Sequence, residues 1–432
     1  MDGQGQQDAV PRKADVAIVG AGYAGLSCAL ELAQNGQSVV VLDRDPPGAG
    51  ASTRSGGQVT GGVNVGKVPS GGAGSMLWQQ RQKALLTEAS QAYDLFEALL
   101  HKHGIECGYH KNGRITGAWT NAHLESWRDK LSDLNALTGA GAFIMSRQQM
   151  REEIATELYA GGIFIQRAGY IDPALYYGGL LRATRSAGAV ICGEAEVQQV
   201  QQQGGRFVLR TARGTLTVGK VVVATNGATG NLVPDLQRRV VPVVSHQIAT
   251  EELPEDLARS LLPHRRAVAE TRRVMNYYRL SSDGRRLLFG GRARFYSLDA
   301  KQSARVLHRQ LVQRFPQLAD VKVSHSWSGH VGLTFDFLPH VSVNSGMHYA
   351  LGCNGSGVTM MTYLGYRLAR ALLGGVVIGA SAYDSDAPTH MLYRGTPWFM
   401  PLLGTAYQLR DAMDLYAQHR RASSPADASP LA

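Results

Sequence analysis

From Ala14 the chain reads Ala-Asp-Val-Ala-Ile-Val and then Gly20, a short apolar run rich in β-branched residues. Such a run closed by glycine predicts a buried strand. Leu26, Ala29, Leu30 and Ala33 follow at helical spacing until Gly36, which predicts a helix with a glycine stop. Ser38-Val39-Val40-Val41-Leu42-Asp43 then forms a second buried strand. Strand, helix and strand thus succeed one another within about 30 residues, the length of one βαβ unit.

Further on, a glycine-rich stretch from Gly48 to Gly74 precedes an expected long helix from about Leu77 to Lys102. Gly178 to Ala187 reads as another helix leading to a strand near Ala189–Cys192. Residues 206–211 and 215–224 pair as a hairpin around the Arg213-Gly214 turn. Strands dominate from about 240 to 300, and a helix is expected from Ser356 to Leu373.

With 432 residues the chain is long enough for two domains or one large composite domain. The net charge is +10, from 44 Lys and Arg against 34 Asp and Glu, which favours anionic ligands. The arginines are scattered in pairs such as Arg238-Arg239 and Arg272-Arg273, and no nucleic-acid module accompanies them, so nucleic acid is not the expected partner. Cys28, Cys107, Cys192 and Cys353 lie far apart and form no CxxC, so neither a metal site nor a dithiol pair is expected. Residues 1–13 lack the apolar stretch of a signal peptide, and no apolar run is long enough for a membrane span. A cytoplasmic protein with flexible ends at 1–13 and 422–432 is the expectation.

Gly20-Ala21-Gly22-Tyr23-Ala24-Gly25 is a GxGxxG between the first strand and the first helix. Its first glycine makes the tight turn, the second lets the backbone approach a pyrophosphate, and the third lets helix and sheet pack closely. Amides at the helix N-terminus then face the phosphates. Asp43 closes the second strand where a carboxylate accepts from ribose hydroxyls, and its charge disfavours the extra phosphate of NADP. FAD and NAD remain.

Three later segments resemble the D-amino-acid oxidase and glycine oxidase superfamily of flavoproteins. They are Val221 to Thr229, with Ala224-Thr225-Asn226-Gly227 after a strand; Gly48 to Gln58, with Arg54-Ser55-Gly56-Gly57-Gln58; and Tyr277 to Arg292. The resemblance continues through Trp327-Ser328-Gly329, Thr334 to Pro339, and Gly352 to Leu368, in the same order along the chain. The Arg54–Gln58 loop and the tail Tyr407 to Asp411 look most like the gamma-glutamylputrescine oxidase group.

The resemblance implies an α/β (α+β composite) fold, a Rossmann-like FAD-binding domain with a discontinuous antiparallel-sheet substrate domain. The first would span 14–105, 160–232 and 328–392, the second 106–159 and 233–327, with a C-terminal extension at 393–421. It implies non-covalent FAD held by Gly20, Gly22, Tyr23, Ala24, Gly25, Asp43 and Arg44, by Ser52, Thr53, Arg54, Ser55, Gly56, Gly57 and Gln58, by Val197, by Thr225, Asn226 and Gly227, and by Gly355, Ser356, Gly357 and Val358. His246, Tyr277, Trp327 and His330 are the expected pocket residues, with His246 or His330 holding the amine proton. No arginine stands out as a carboxylate clamp, and Arg279 and Arg292 are expected at solvent on a hairpin. The implied reaction oxidises a small amine or amino acid, with dioxygen as acceptor. The alternatives are an FAD-dependent dehydrogenase with another acceptor, an NAD-dependent dehydrogenase, and a non-catalytic flavin-binding protein.

Overall fold

The computed structural model describes residues 8–61, 76–292 and 298–422. The distal part of the Gly48–Gly74 stretch, residues 1–7 and residues 423–432 lie outside them. The fold mixes α and β structure in two units: Met1–Tyr109 with Ile171–Val243 and Gly329–Pro397, and His110–Tyr170 with Val244–Ser328 and Trp398–Ala432.

In the first unit the apolar run Lys13–Val19 is the centre of a parallel sheet, flanked by Val39–Leu42 and Gly214–Val223. Val190–Cys192 extends the sheet beyond Val39–Leu42, and Met347–Leu351 beyond Gly214–Val223. Strands buried on both faces read as near-continuous apolar runs, as Val39 to Leu42 do. Helix Tyr23–Gln34 returns between the first two strands, and helix Thr362–Leu372 packs so tightly on it that a Cβ at Gly365 would overlap Ala24 O. Helix Pro173–Ser186 starts five residues before the expected Gly178. Asp172 Oδ1 caps it by accepting from Ala174 N and Leu175 N, with proline in the first turn. Residues 8–12 are held by the sheet, with Arg12 O accepting from Thr217 N and Asp8 O from Arg213, so they are not part of the flexible end anticipated at 1–13.

The second unit is built on an eight-stranded sheet in the order Val323–Leu333, Val241–Thr250, Leu287–Gly291, Asn276–Leu280, Ala267–Glu270, Arg114–Ala118, Gly161–Ile165, Ala142–Met145. Because Gly161–Ile165 pairs antiparallel with Arg114–Ala118, the boundary falls after Tyr170 and not at the expected 159/160. Side chains of directly opposed residues share a face and successive ones alternate. One face carries Ile115, Ile248, Val268, Tyr278, Leu280, Leu287 and Phe289, which form a core with Leu307 and Leu311 of helix Ala300–Arg314. That helix, Asn121–Thr138 and the C-terminal Met400–Ala422 fall where no helix was expected. The last is fastened by Asp411, which accepts from Arg273 N and Val274 N.

Candidate functional site

The GxGxxG turn is made by close backbone approach. Gly20 has φ +105, and a Cβ there would lie 2.8 Å from Ala224 O. A Cβ on Gly25 would overlap Gly20 O. Gly22 is the helix N-cap and offers no side-chain cap, so the N-terminal amides are left to other partners. Tyr23 N donates to Ser52 Oγ (3.2 Å) and Ala21 N to Asp43 Oδ2 (2.7 Å). Burial raises the Asp43 pKa while those amide bonds oppose the rise. Ala195 N donates to Asp43 O, which sets Val197, buried at the start of strand Val197–Gln203, close to the same strand end.

The structure brings most of the sequence-selected groups of this unit around that turn. Ser52 and Thr53 lie on the loop after Gly48, where Thr53 Oγ1 donates to Gly48 O (2.6 Å) and Gly57 N donates to Ser55 Oγ (3.3 Å). Arg54 is exposed there, and Gly56 and Gln58 continue the loop into a short strand, Gln58–Thr60. A Cβ on Gly329 would lie 3.5 Å from the Cβ atoms of Ala51 and Arg54, so His330, exposed on strand Val323–Leu333, stands beside this loop. Asn226, at φ +44, ties the third segment in: its Oδ1 accepts from Gly352 N (3.0 Å) and Cys353 N (3.3 Å). Thr225 Oγ1 bonds Thr229 Oγ1 (2.7 Å), and Gly227 meets the backbone of Gly332. Beyond Gly355 and Ser356, Gly357–Met361, including Val358, forms a π turn before helix Thr362–Leu372, an irregularity frequent at functional sites.

Some selected side chains serve the fold. The Tyr23 ring packs 5.1 Å from Tyr176, and its hydroxyl donates to Ser52 O (2.7 Å); Ala24 is buried in the same core. Arg44 is half-exposed and paired with Asp45 (3.1 Å). Asn226 Oδ1 is spent on backbone amides.

In the second unit the register separates two candidates. His246 opposes Gly291, which opposes Asn276, whereas Tyr277 opposes Gly290, which opposes Gln247. His246 therefore shares the core face, 1 % exposed, with neither ring nitrogen bonded among the described residues, and burial lowers its pKa. Tyr277 lies on the opposite face, with its hydroxyl 2.9 Å from Ser245 Oγ. The two cannot line one pocket from this sheet. Trp327 is half-buried on the outer strand Val323–Leu333.

That opposite face also carries Arg279, which is 4 % exposed and stacked over the Tyr170 ring at 4.9 Å, and not at solvent as expected. Arg292 is half-buried, and burial lowers its pKa. Arg114 and Thr116 share the face and had no sequence signal. Only the alternation of strand Arg114–Ala118 could have offered them, and alternation does not say which face is the core.

The first unit thus offers what a bound dinucleotide requires: a glycine turn open to close approach, an uncapped helix N-terminus and an acid at the second strand end. Residues 15–371 match the family described as FAD dependent oxidoreductase. The gamma-glutamylputrescine oxidoreductase of Escherichia coli is 32% identical over 406 residues, covering 92% of this chain and 93% of that protein. A probable oxidoreductase, OrdL, of Rhizobium meliloti is 33% identical over 380 residues, 84% of each. Among solved structures, the glycine oxidase of Geobacillus kaustophilus superposes with a TM-score of 0.69 at 22% identity, covering 88% of this chain and 98% of that one. The L-proline dehydrogenase of P. horikoshii gives 0.71 at 16%, covering 93% and 99%. At such identities these two structures speak for the fold alone.

Proposed function

Because the chain belongs to the family of FAD-dependent oxidoreductases, we propose that this enzyme oxidises the C–N bond of a small amine or amino acid, with FAD bound non-covalently in the first unit. The observation that carries the reading is the junction at Asn226, whose Oδ1 draws Gly352 and Cys353 to the strand end beside the GxGxxG turn. Three segments distant in sequence thereby form one cradle. The relative named gamma-glutamylputrescine oxidoreductase supports an amine as the group attacked.

In this reading Gly20, Gly22 and Gly25 let the backbone approach the pyrophosphate, the amides of helix Tyr23–Gln34 meet its charge, and Asp43 accepts from the ribose. The loop Ser52 to Gln58 and the turn Gly355 to Val358 hold the flavin. When bound, FAD supplies the two-electron acceptor for amine oxidation, with the imine hydrolysed by water and dioxygen reduced to hydrogen peroxide. The chain's own part is positioning and desolvation: in the first unit His330, beside the loop after Gly48, takes the amine proton, and in the second unit Tyr277, fixed by Ser245, is the candidate for substrate contact. A thioether tether is disfavoured at Cys353, which is buried with its thiol turned to Gly332 O (3.6 Å).

The test is a visible spectrum of the purified protein, acid precipitation, and anaerobic mixing with an amine panel. The reading expects FAD in the supernatant and a bleached flavin band with amines but not with alcohols. Alcohols that bleach the band while amines are inert would reject it.

A further inference from the structure

The C-terminal helix Met400–Ala422 carries two stripes. The inner one docks it on the second unit. Gly404 and Asp411 are buried, Asp411 Oδ1 accepts from Arg273 N (3.1 Å), Asp414 Oδ2 from Arg273 Nη1 (2.6 Å), and Gln418 Oε1 from Asn121 N (3.3 Å). Steps of three, four and seven residues put these groups on one side of the helix. That attachment is polar, and it turns a second, apolar stripe outward: Leu402, Leu409, Met413 and Tyr416 are 71%, 61%, 68% and 66% exposed.

Large apolar side chains at a protein surface normally stand singly, as Leu175 and Val343 do here. Four in line on one rigidly held helix expose roughly 500 Å², the size of patch that serves association. With Ala406 and Arg420 the stripe occupies positions 402, 406, 409, 413, 416 and 420. These steps of four and three are those of a coiled-coil seam, and they read the same from either end. An antiparallel second copy therefore meets the stripe layer by layer: Leu409 faces Met413, the small Ala406 faces the large Tyr416, and Leu402 lies along the aliphatic stem of Arg420. Thr405 and Ala412, exposed on the flanks, are short enough to let the two helix axes approach closely. A parallel copy would stack Ala406 on Ala406 and set the two Arg420 charges side by side.

Charge also speaks for a second copy over a lipid surface. A helix lying on a membrane carries lysines and arginines on its polar face, whereas the inner face here carries Asp411 and Asp414, both spent on Arg273. The stripe itself has no charged side chain from Leu402 to Tyr416. We propose that the outward face of helix Met400–Ala422 is the contact between two copies of this chain, packed antiparallel about a two-fold axis beside Asp411. Two such faces bury about 1,000 Å² together, the lower bound of a specific interface, so the dimer is a reversible one.

The flavin-loaded full chain is followed by sedimentation velocity from about 1 to 100 µM, the range in which so small an interface dissociates. The expected result is a monomer–dimer equilibrium with a Kd on the order of 10 µM. Leu409→Lys and Met413→Glu each weaken it by about 30-fold or more. Mixed in equal amounts the two variants dimerise again, because in the antiparallel pair the new ammonium of one copy meets the new carboxylate of the other. Flavin content and circular dichroism equal to wild type show that each variant is folded. Should either fail, Ala406→Glu and Tyr416→Lys, which meet in the next layer, carry the same comparison. A wild type that stays monomeric at the highest concentration, or single variants that dimerise as it does, overturns the proposal. So does a loss of dimer that mixing does not repair, since the antiparallel register is then wrong. Vesicles of anionic lipid are the last arm: a monomeric wild type that sediments with them, and variants that do not, would show that a membrane covers the stripe instead.

Discussion

Asn226 accepts from two backbone amides, Gly352 N and Cys353 N, while sitting at φ +44, a conformation asparagine tolerates better than most side chains. Asn226→Ala leaves both amides without that acceptor, a loss of about 1–3 kcal/mol. The expected outcome is a lower unfolding midpoint and faster FAD release, with Asn226→Asp close to wild type because it keeps the acceptor oxygen. Calorimetry and flavin fluorescence check this, and an Asn226→Ala protein with wild-type midpoint and flavin retention would contradict it. The residue was visible in the sequence as part of the Ala224–Gly227 segment, but its job was not. A motif marks where the chain passes a site, while the partner of an amide oxygen 126 positions away is fixed only by the fold. Arg114 was missed for a related reason, since an arginine in a strand shows its burial only once its sheet neighbours are known.

Between elements, strand Ala267–Glu270 and helix Ala300–Arg314 are joined by the Glu270–Arg314 pair, with both side chains 0% exposed. Glu270→Ala leaves the Arg314 charge buried and unpaired, an expected loss of about 3–5 kcal/mol. The pair also predicts a pH dependence. Burial pushes the Glu270 carboxyl up, but Arg314 and Arg272 outweigh it and hold the pKa below the ordinary 4.5. A depressed carboxylate pKa contributes stability that is full above the unfolded value and is lost as pH falls through the folded one. The stability advantage of wild type over Glu270→Gln, from urea unfolding, is therefore constant at neutral pH and shrinks below about pH 4.5. An advantage that grows on acidification would refute the assignment.

The elements of the first βαβ unit were legible because their signals are local: a β-branched run, helical spacing and a glycine stop. Asn121–Thr138 and Ala300–Arg314 were not, because both are polar on average and carry few apolar residues to mark their buried side, and the core that holds Leu307 and Leu311 comes from strands elsewhere in the chain. The reading of strands from about 240 to 300 did not say that His246 turns to the core and Tyr277 away from it.

At the scale of the molecule, the cradle of the first unit gathers residues 20–25, 52–58, 224–227 and 352–358 from three chain segments. The segments are connected through Tyr23 N to Ser52 Oγ, Ala224 N to Val19 O, and Asn226 to Gly352. A ligand that binds only this assembled arrangement stabilises it by mass action, about 2.7 kcal/mol at a free concentration 100-fold above its Kd. Adding FAD to protein stripped of flavin is therefore expected to slow amide hydrogen exchange in all four stretches together. Helix Ala300–Arg314, whose Leu307 and Leu311 belong to the other unit's own core, serves as the internal comparison. FMN lacks the adenosine that Asp43 and the first turn are built to meet, so it should protect 20–25 far less than FAD does. Protection confined to 352–358 with FAD, or equal protection of 20–25 by FMN, would mean that the GxGxxG turn is not where the dinucleotide is held. Exchange followed by peptide mass analysis, with and without each flavin, decides between these outcomes.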